Sequence, residues 1–395
     1  MESYQRWIWQ LPQWPALTFN AAQCQVPLAK ARQAQGQLLG KASAIGLEGL
    51  LPHVRDALTQ EAITTSSIEG EKLDPESVRS SIARRLGLDS GGAPPSEGKG
   101  NLEGLIDVLQ DATLNTQSPL TIDRMCNWHG ALFPTGFSGM SRIAVGELRS
   151  VPMDVVSGAV GRTKVHYSAP PAALLEGQVG AFVAWFNESN PNTGSRPIDG
   201  LLRAALSHVW FETLHPFDDG NGRIGRAILQ LAIGQDMGQP GRIVTLSRQI
   251  ESCKAQYYNA LERAQHSHTL DVTPWVVWML EQMSLASEFA SQTIDYSLQR
   301  IQFQASMYQQ ALNERQLKTM QKLLDAGPKG YIGGMTTRKH GSMYQVSTPT
   351  AARDLIDLEK RGLLIKQGKG RSVRYYPAIE GWAEELLPDK AHVVQ

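Results

Sequence analysis

His215-Pro216-Phe217-Asp218-Asp219-Gly220-Asn221-Gly222-Arg223-Ile224-Gly225-Arg226 lies between two strongly apolar stretches. Upstream, Leu201, Leu202, Ala204, Ala205, Leu206, Val209, Trp210, Phe211 and Leu214 recur at a spacing that predicts a buried helix. Downstream, Ala227-Ile228-Leu229-Gln230-Leu231-Ala232-Ile233 predicts a second. A plain turn between core helices needs a glycine and a cap. This one concentrates one His, two Asp, one Asn and two Arg within twelve residues. Burying such groups without partners is expensive.

The residue types suggest a division of labour. Gly220-Asn221-Gly222 can turn backbone N–H groups inward at the positive end of the following helix, which makes an anion site suited to phosphates. Arg223 and Arg226 lie one turn apart and can face the same phosphate chain. Asp219 suits Mg²⁺, which takes one or two carboxylates plus phosphate oxygens. His215 titrates near neutrality and can take a proton from an attacking hydroxyl. Base, metal ligand and phosphate cradle together fit transfer of a phosphoryl or nucleotidyl group. The alternative is a capped, salt-bridged loop between core helices, and residue types alone leave the two open.

The rest of the chain sets bounds. Its 395 residues suggest two or three domains. Lys plus Arg and Asp plus Glu are 38 each, which excludes a bulk polycation for the whole chain. Cys24, Cys126 and Cys253 are too few and too scattered for a disulfide framework or a multi-Cys zinc site. No apolar run is long enough to span a membrane, and the start lacks a signal-peptide core, so a cytoplasmic location is expected. Trp7, Trp9 and Trp14 read as packing residues. Residues 51–70 read as a helix, Gly91 to Gly98 as a loop, and Arg162 to Ser168 as a strand of an extended hairpin ending before Pro170-Pro171.

At every fixed position, His215 to Arg226 matches H-x-F-x-[DE]-G-N-G-R-x-x-R, and the chain thereby resembles the Fic family. Fic proteins are typically protein adenylyltransferases, which move AMP from ATP to a Tyr, Ser or Thr hydroxyl. The resemblance implies that His215 is the base and that Phe217 anchors the loop. It implies that Asp219 holds Mg²⁺ and that Gly220, Asn221 and Gly222 line the anion hole. Arg223 would grip the β-phosphate region and Arg226 the γ-phosphate. Lys164, Val165, His166 and Tyr167 resemble the family's flap, which pairs with a target backbone as an added strand. Tyr257 and Tyr258 resemble a tyrosine pair that helps enclose adenine. An ordinary hairpin and ordinary core packing are the alternatives for these two features.

Thr65-Ser66-Ser67-Ile68-Glu69-Gly70 matches the family's inhibitory pattern, [ST]-x-x-x-E-[GN]. Thr65 and Glu69 share a helix face. The resemblance implies that Glu69 pairs with Arg226 and so competes with the γ-phosphate. The alternative is a plain helix end at Gly70.

Residues 313–377 differ in character, with 13 Lys and Arg against 5 Asp and Glu. Two helices are followed by a third opening at Ser347-Thr348-Pro349 and by a hairpin with Gly368-Lys369-Gly370 at its tip. This order resembles a winged helix-turn-helix. Thr348, Thr350 and Arg353 would face a DNA groove, and Lys369, Arg371 and Arg374 would meet phosphates. A protein partner or a homodimer contact through the same fold is the alternative.

The expected fold is mainly α. An N-terminal helical region (1–110) carries the inhibitory helix, and a Fic-type helical bundle (111–270) carries a β-hairpin flap. A helical linker (271–312), a winged helix-turn-helix (313–377) and an acidic tail (378–395) follow. The expected function is an autoinhibited protein adenylyltransferase using ATP and Mg²⁺ on a target protein or on itself. The competing expectations are a DNA-binding regulator that senses nucleotide, a different nucleotide donor, and removal of AMP.

Overall fold

The computed structural model describes residues 7–88, 100–157, 164–327 and 333–382. The expected loop at Gly91 to Gly98, the first residues of the expected strand (Arg162, Thr163) and the tail beyond Trp382 lie outside them. The fold is mostly helical and divides into two compact units, Met1–Ser291 and Gln292–Gln395. No helix among the described residues is long and apolar enough to cross a membrane.

The first unit opens with α1 (Ala21–Ile68), capped by Asn20, whose side chain accepts from the Gln23 N–H. α1 begins thirty residues before the predicted segment and is broken at Gly46 (φ 68, ψ 178). That left-handed backbone is one glycine adopts without strain. α2 (Pro75–Arg85), α3 (Gly100–Leu114) and α4 (Ile122–Leu132) follow. Two hairpins come next, β1 (Phe137–Ser138) with β2 (Ser141–Arg142), and β3 (Asp154–Ser157) with β4 (Lys164–Ser168). The second is antiparallel, with Val155 opposite Tyr167 and an irregularity between Val155 and Val156.

α5 (Ala172–Glu188), α6 (Gly200–Leu214) and α7 (Asn221–Met237) form the centre, completed by α8 (Leu246–Ser252), α9 (Lys254–Gln265) and α10 (Thr273–Tyr308). α6 and α7 are buried almost all round, as their apolar composition requires. α1 packs against α3, α7 and α8, which brings its C-terminal end to the start of α7. The N-terminal tryptophans grip the second hairpin. Trp9 Nε1 donates to the Ser168 carbonyl at 2.8 Å, and the Trp7 ring meets Tyr167 edge-on.

The second unit holds the rest of α10, then α11 (Glu314–Asp325), α12 (Thr337–Tyr344), α13 (Thr348–Lys360) and a hairpin of β5 (Leu364–Gln367) and β6 (Arg374–Pro377). Met335 makes an isolated antiparallel bridge to Tyr375 of β6. Ser347 caps α13, and Pro349 occupies its first turn. Met320, Leu324, Leu355, Leu358 and Trp382 form this unit's own core.

Candidate active site

The loop between α6 and α7 is held in an unusual path by named bonds. His215 ends α6 in the left-handed region (φ 46, ψ 59), a conformation that costs a non-glycine residue about 1–3 kcal/mol. Arg149 holds it there. Its Nε donates to the His215 carbonyl at 2.8 Å, its Nη2 to the Pro170 carbonyl at 2.6 Å, and its Nη1 to the Val151 carbonyl at 2.8 Å. Its backbone N–H also donates to the Pro216 carbonyl. Asn221 closes the turn: its Oδ1 accepts from the Phe217 N–H at 2.9 Å, and its Nδ2 donates to the Phe217 carbonyl at 2.8 Å. Phe217 is fully buried and stacks on His129, with centroids 4.5 Å apart.

The loop borders a cleft of about 590 Å³. Its lining includes Glu69, Asp154, Val155, Val156, His166, Tyr167, Glu212, His215, Asp218, Asp219, Gly220, Asn221, Gly222, Arg226, Tyr257, Tyr258 and Gln265. Burial pushes the His215 imidazole down to about 4, although the Glu212 carbonyl favours the charged ring. It is therefore neutral near pH 7 and ready to accept a proton. Its Nδ1 lies 4.0 Å from Glu212 Oε2.

Arg226 is 2% exposed and meets the end of α1. Its Nη2 donates to Glu69 Oε1 at 2.7 Å and to the Thr65 carbonyl at 3.2 Å, and its Nε donates to Thr65 Oγ1 at 2.8 Å. Burial works against its charge, but Glu69, with Tyr257 and Glu212 nearby, outweighs burial and holds the guanidinium above its ordinary value. The approach depends on Gly222, because a Cβ there would meet Glu69 Oε1 at 2.5 Å. Two further contacts seat the helix. Lys254 Nζ donates to the Ile68 carbonyl, and buried Glu61 accepts from the Ser247 hydroxyl and N–H. Gly70 (φ 85) turns the chain away after Glu69.

The two loop arginines have separate surroundings. Arg223 is not among the cleft-lining residues. Its guanidinium lies 5.0 Å from the Phe133 ring centroid and 3.6 Å from Glu71 Oε1. Its Nε is buried without a partner. Phe133 and Glu71 offer a cation a π-face and a carboxylate on that side of α7.

Asp219 lines the cleft, accepts from the Ser138 hydroxyl on Oδ2 and from the Gly220 N–H on Oδ1. Among the described residues there is no group of three or more His, Cys, Asp or Glu that would cage a metal. A single cleft-facing carboxylate fits Mg²⁺, which takes one or two carboxylates and keeps most of its other ligands as water or substrate oxygens. Asp218 Oδ2 accepts from the Ala144 N–H, while its Oδ1 is buried without a partner.

On α9, Tyr257 is buried and its hydroxyl meets His208 Nε2 at 3.0 Å. Tyr258 is partly exposed, with Lys254 Nζ 5.9 Å from its ring centroid. Along β4, Lys164 and Val165 are exposed and His166 is half-buried. Tyr167 instead turns inward, and its hydroxyl donates to the Thr213 carbonyl at 2.5 Å. In the second unit Thr348, Arg353 and Lys369 are exposed. Thr350 and Arg374 are half-buried, and the side chain of Arg371 is outside the described set. Asp354, on the same helix as Arg353, is buried and accepts from Arg315, Asn313 and His340 Nε2. Its charge is thus spent inside the unit rather than on the helix's outer face.

Sequence reasoning missed Arg149 and Glu212. Glu212 is the one acidic residue in apolar α6, and that placement was the available signal, since an unpaired buried carboxylate is costly. Arg149, far from the loop in sequence, carried no such mark.

Residues 119–233 match the model of the Fic/DOC family, and residues 7–88 match a domain of unknown function, DUF4172. A uridine 5'-monophosphate transferase of Xanthomonas campestris pv. campestris is 31% identical over 29% of this chain and 21% of its own length. A protein adenylyltransferase Fic of Nematostella vectensis is 25% identical over 56% of this chain and 46% of its own. The chain thus spans less than half the length of either relative. A Fic family crystal structure from Desulfovibrio desulfuricans shares the fold at a TM-score of 0.51, with 19% identity, covering 89% of this chain and 95% of that one.

Proposed function

We propose, on the premise that residues 119–233 form a Fic/DOC-family domain, that the protein transfers AMP from ATP to a hydroxyl side chain of a target protein, and that the end of α1 restrains the reaction. The observation that carries this reading is Arg226, a cleft-lining cation whose present partner, Glu69, is the anion a terminal phosphate would have to replace.

The chemistry follows from the residues. The target hydroxyl enters beside His215, whose neutral ring takes its proton. The freed oxygen attacks the α-phosphorus, forming a new P–O bond. The bond from that phosphorus to the bridging oxygen breaks, and pyrophosphate leaves with the electron pair. N–H groups at the start of α7 face the phosphates, and Arg226 takes the terminal one. Asp219 would hold Mg²⁺, which supplies positive charge against the phosphates when bound. Asn221 and Arg149 keep the loop in position, and Tyr258 borders the space for the base. The exposed side chains of β4 suit docking of an extended target segment. Arg223, held beside Phe133, would need to move to reach a phosphate.

Restraint follows from competition. Arg226 bonded to Glu69 and Thr65 is withheld from nucleotide, and separating the pair leaves a buried charge uncompensated.

A second reading, transfer of UMP, is favoured by the named activity of the Xanthomonas relative. Incubating Glu69→Gly with ATP, UTP, GTP and CTP and weighing the modified protein separates the two. Added AMP mass supports the first reading and added UMP mass the second. No addition from any nucleotide contradicts both and favours a nucleotide-sensing regulator.

The three helices and hairpin of the second unit suit a winged helix-turn-helix with Thr348, Arg353 and Lys369 toward DNA. A gel-shift series across salt tests this: absence of salt-sensitive duplex binding counts against it.

A further inference from the structure

Glu212 has no role in the scheme above, yet it sits at the centre of the site. It is buried on the last turn of α6, lines the cleft, and places Oε2 4.0 Å from His215 Nδ1. Its Oε1 has no hydrogen-bond partner. Room for the carboxyl comes from Gly225 on α7, where a Cβ would meet Oε1 at 2.2 Å. Gln265 Nε2 donates to the Glu212 carbonyl at 3.1 Å, fixing this turn from α9.

We propose that Glu212 is a positioning residue for nucleotidyl transfer: its carboxylate, facing Nδ1, steadies the imidazolium formed on His215 and leaves Nε2 to take the hydroxyl proton. This rests on the transfer reading given above. The hydroxyl O–H bond breaks and its electron pair goes to phosphorus. The proton forms an N–H bond at Nε2, and the ring's new positive charge lies beside Glu212. After pyrophosphate leaves, the proton passes from His215 to water.

The surrounding charges support this arrangement. Glu212 is faced by Arg226 from α7, Glu69 from α1, and Tyr257 and Tyr258 from α9. His215 is faced by Arg149, Glu69 and Asp219. Burial pushes Glu212 up to about 7, with Arg226 pulling the other way. Glu212 therefore gains its charge near neutral pH, and His215 becomes the stronger base once it has done so. The acid limb of the transfer rate accordingly belongs to Glu212.

The test combines kinetics with ring titration. In the Glu69→Gly background, Glu212→Gln should lower kcat about 10–100-fold while leaving KM for ATP nearly unchanged. The acid limb should move from near 7 toward about 4. Glu212→Asp, which keeps the charge, should recover part of kcat and restore the limb. Separately, nitrogen NMR of His215 in the full chain without nucleotide should show a step near pH 7 in the parent, where Glu212 gains its charge beside the ring, and no such step in Glu212→Gln. An unchanged kcat and pH profile, or identical His215 titration in both proteins, overturns the proposal. If Glu69→Gly transfers nothing from any nucleotide, the transfer reading fails, and the ring titration still decides whether the pair exists.

Discussion

Replacing Glu69 with glycine removes the anion that holds Arg226. The size of the effect can be worked from burial. Truncating one partner of a fully buried ion pair costs about 3–5 kcal/mol, whereas exposed pairs contribute at most about 1 kcal/mol. Arg226 is 2% exposed and Glu69 32%, so the pair lies between these limits. A value of about 2 kcal/mol corresponds to roughly a thirtyfold rise in the population of sites able to take the terminal phosphate. Thr65 still accepts from Arg226 through Oγ1 and its carbonyl after the substitution, which keeps the gain finite. Glycine is well tolerated at this position, because Glu69 is the C-cap of α1 and leaves the helix there. Incorporation of labelled AMP into protein should rise about 10–100-fold. ATP should also bind more tightly by calorimetry, because the coupling between pair and nucleotide is reciprocal. Equal low incorporation by Glu69→Gly and the parent protein, with unchanged ATP affinity, would refute the competition argument.

Other consequences can be checked singly. His215→Ala should abolish transfer in the Glu69→Gly background yet retain ATP binding; turnover within about tenfold of the parent would exclude His215 as the base. Asn221→Ala removes both bonds to the Phe217 backbone and should lower stability by about 2–3 kcal/mol in urea unfolding, a loss that a solvent-facing amide would not produce. Burial pushes Glu61 from 4.5 to about 7. The folded state therefore binds its proton more tightly, and this contribution is complete below 4.5 and lost as pH rises to about 7. Over that window Glu61 should cost the parent about 3 kcal/mol. Glu61→Gln should show a correspondingly flatter dependence of stability on pH, and identical slopes would contradict the assignment.

Much of the site was legible because its residues are anomalous where they stand. A His, two Asp and two Arg between core helices demand partners, and a Thr and a Glu four apart before a glycine mark one helix face. The elements of the second unit were readable from the Ser347 cap, Pro349 and the glycine-bounded tip at Lys369. What stayed hidden depends on tertiary packing. Arg149 reaches the loop only after the chain folds back, and nothing near it in sequence shows that it will cap four carbonyls. Arg223 and Arg226 have equivalent spacing, but Phe133 and Glu71 draw one aside while Glu69 holds the other. Tyr167 alternates correctly for a strand, yet the side on which Trp7 packs decides that it faces inward. Asp354 stands beside Arg353 on α13, yet Arg315 and His340, distant in sequence, enclose its charge inside the unit.

The central claim is that one cleft presents a neutral base to an α-phosphate while Arg226 chooses between Glu69 and the terminal phosphate. The most direct measurement is a crystal structure of the Glu69→Gly protein soaked with Mg²⁺ and a non-hydrolysable ATP analogue. The expected result places the α-phosphate beside His215, the terminal phosphate on Arg226 and the metal on Asp219. Nucleotide bound outside this cleft, or an α-phosphate out of reach of His215 with Arg226 still bound only to Thr65, would contradict it.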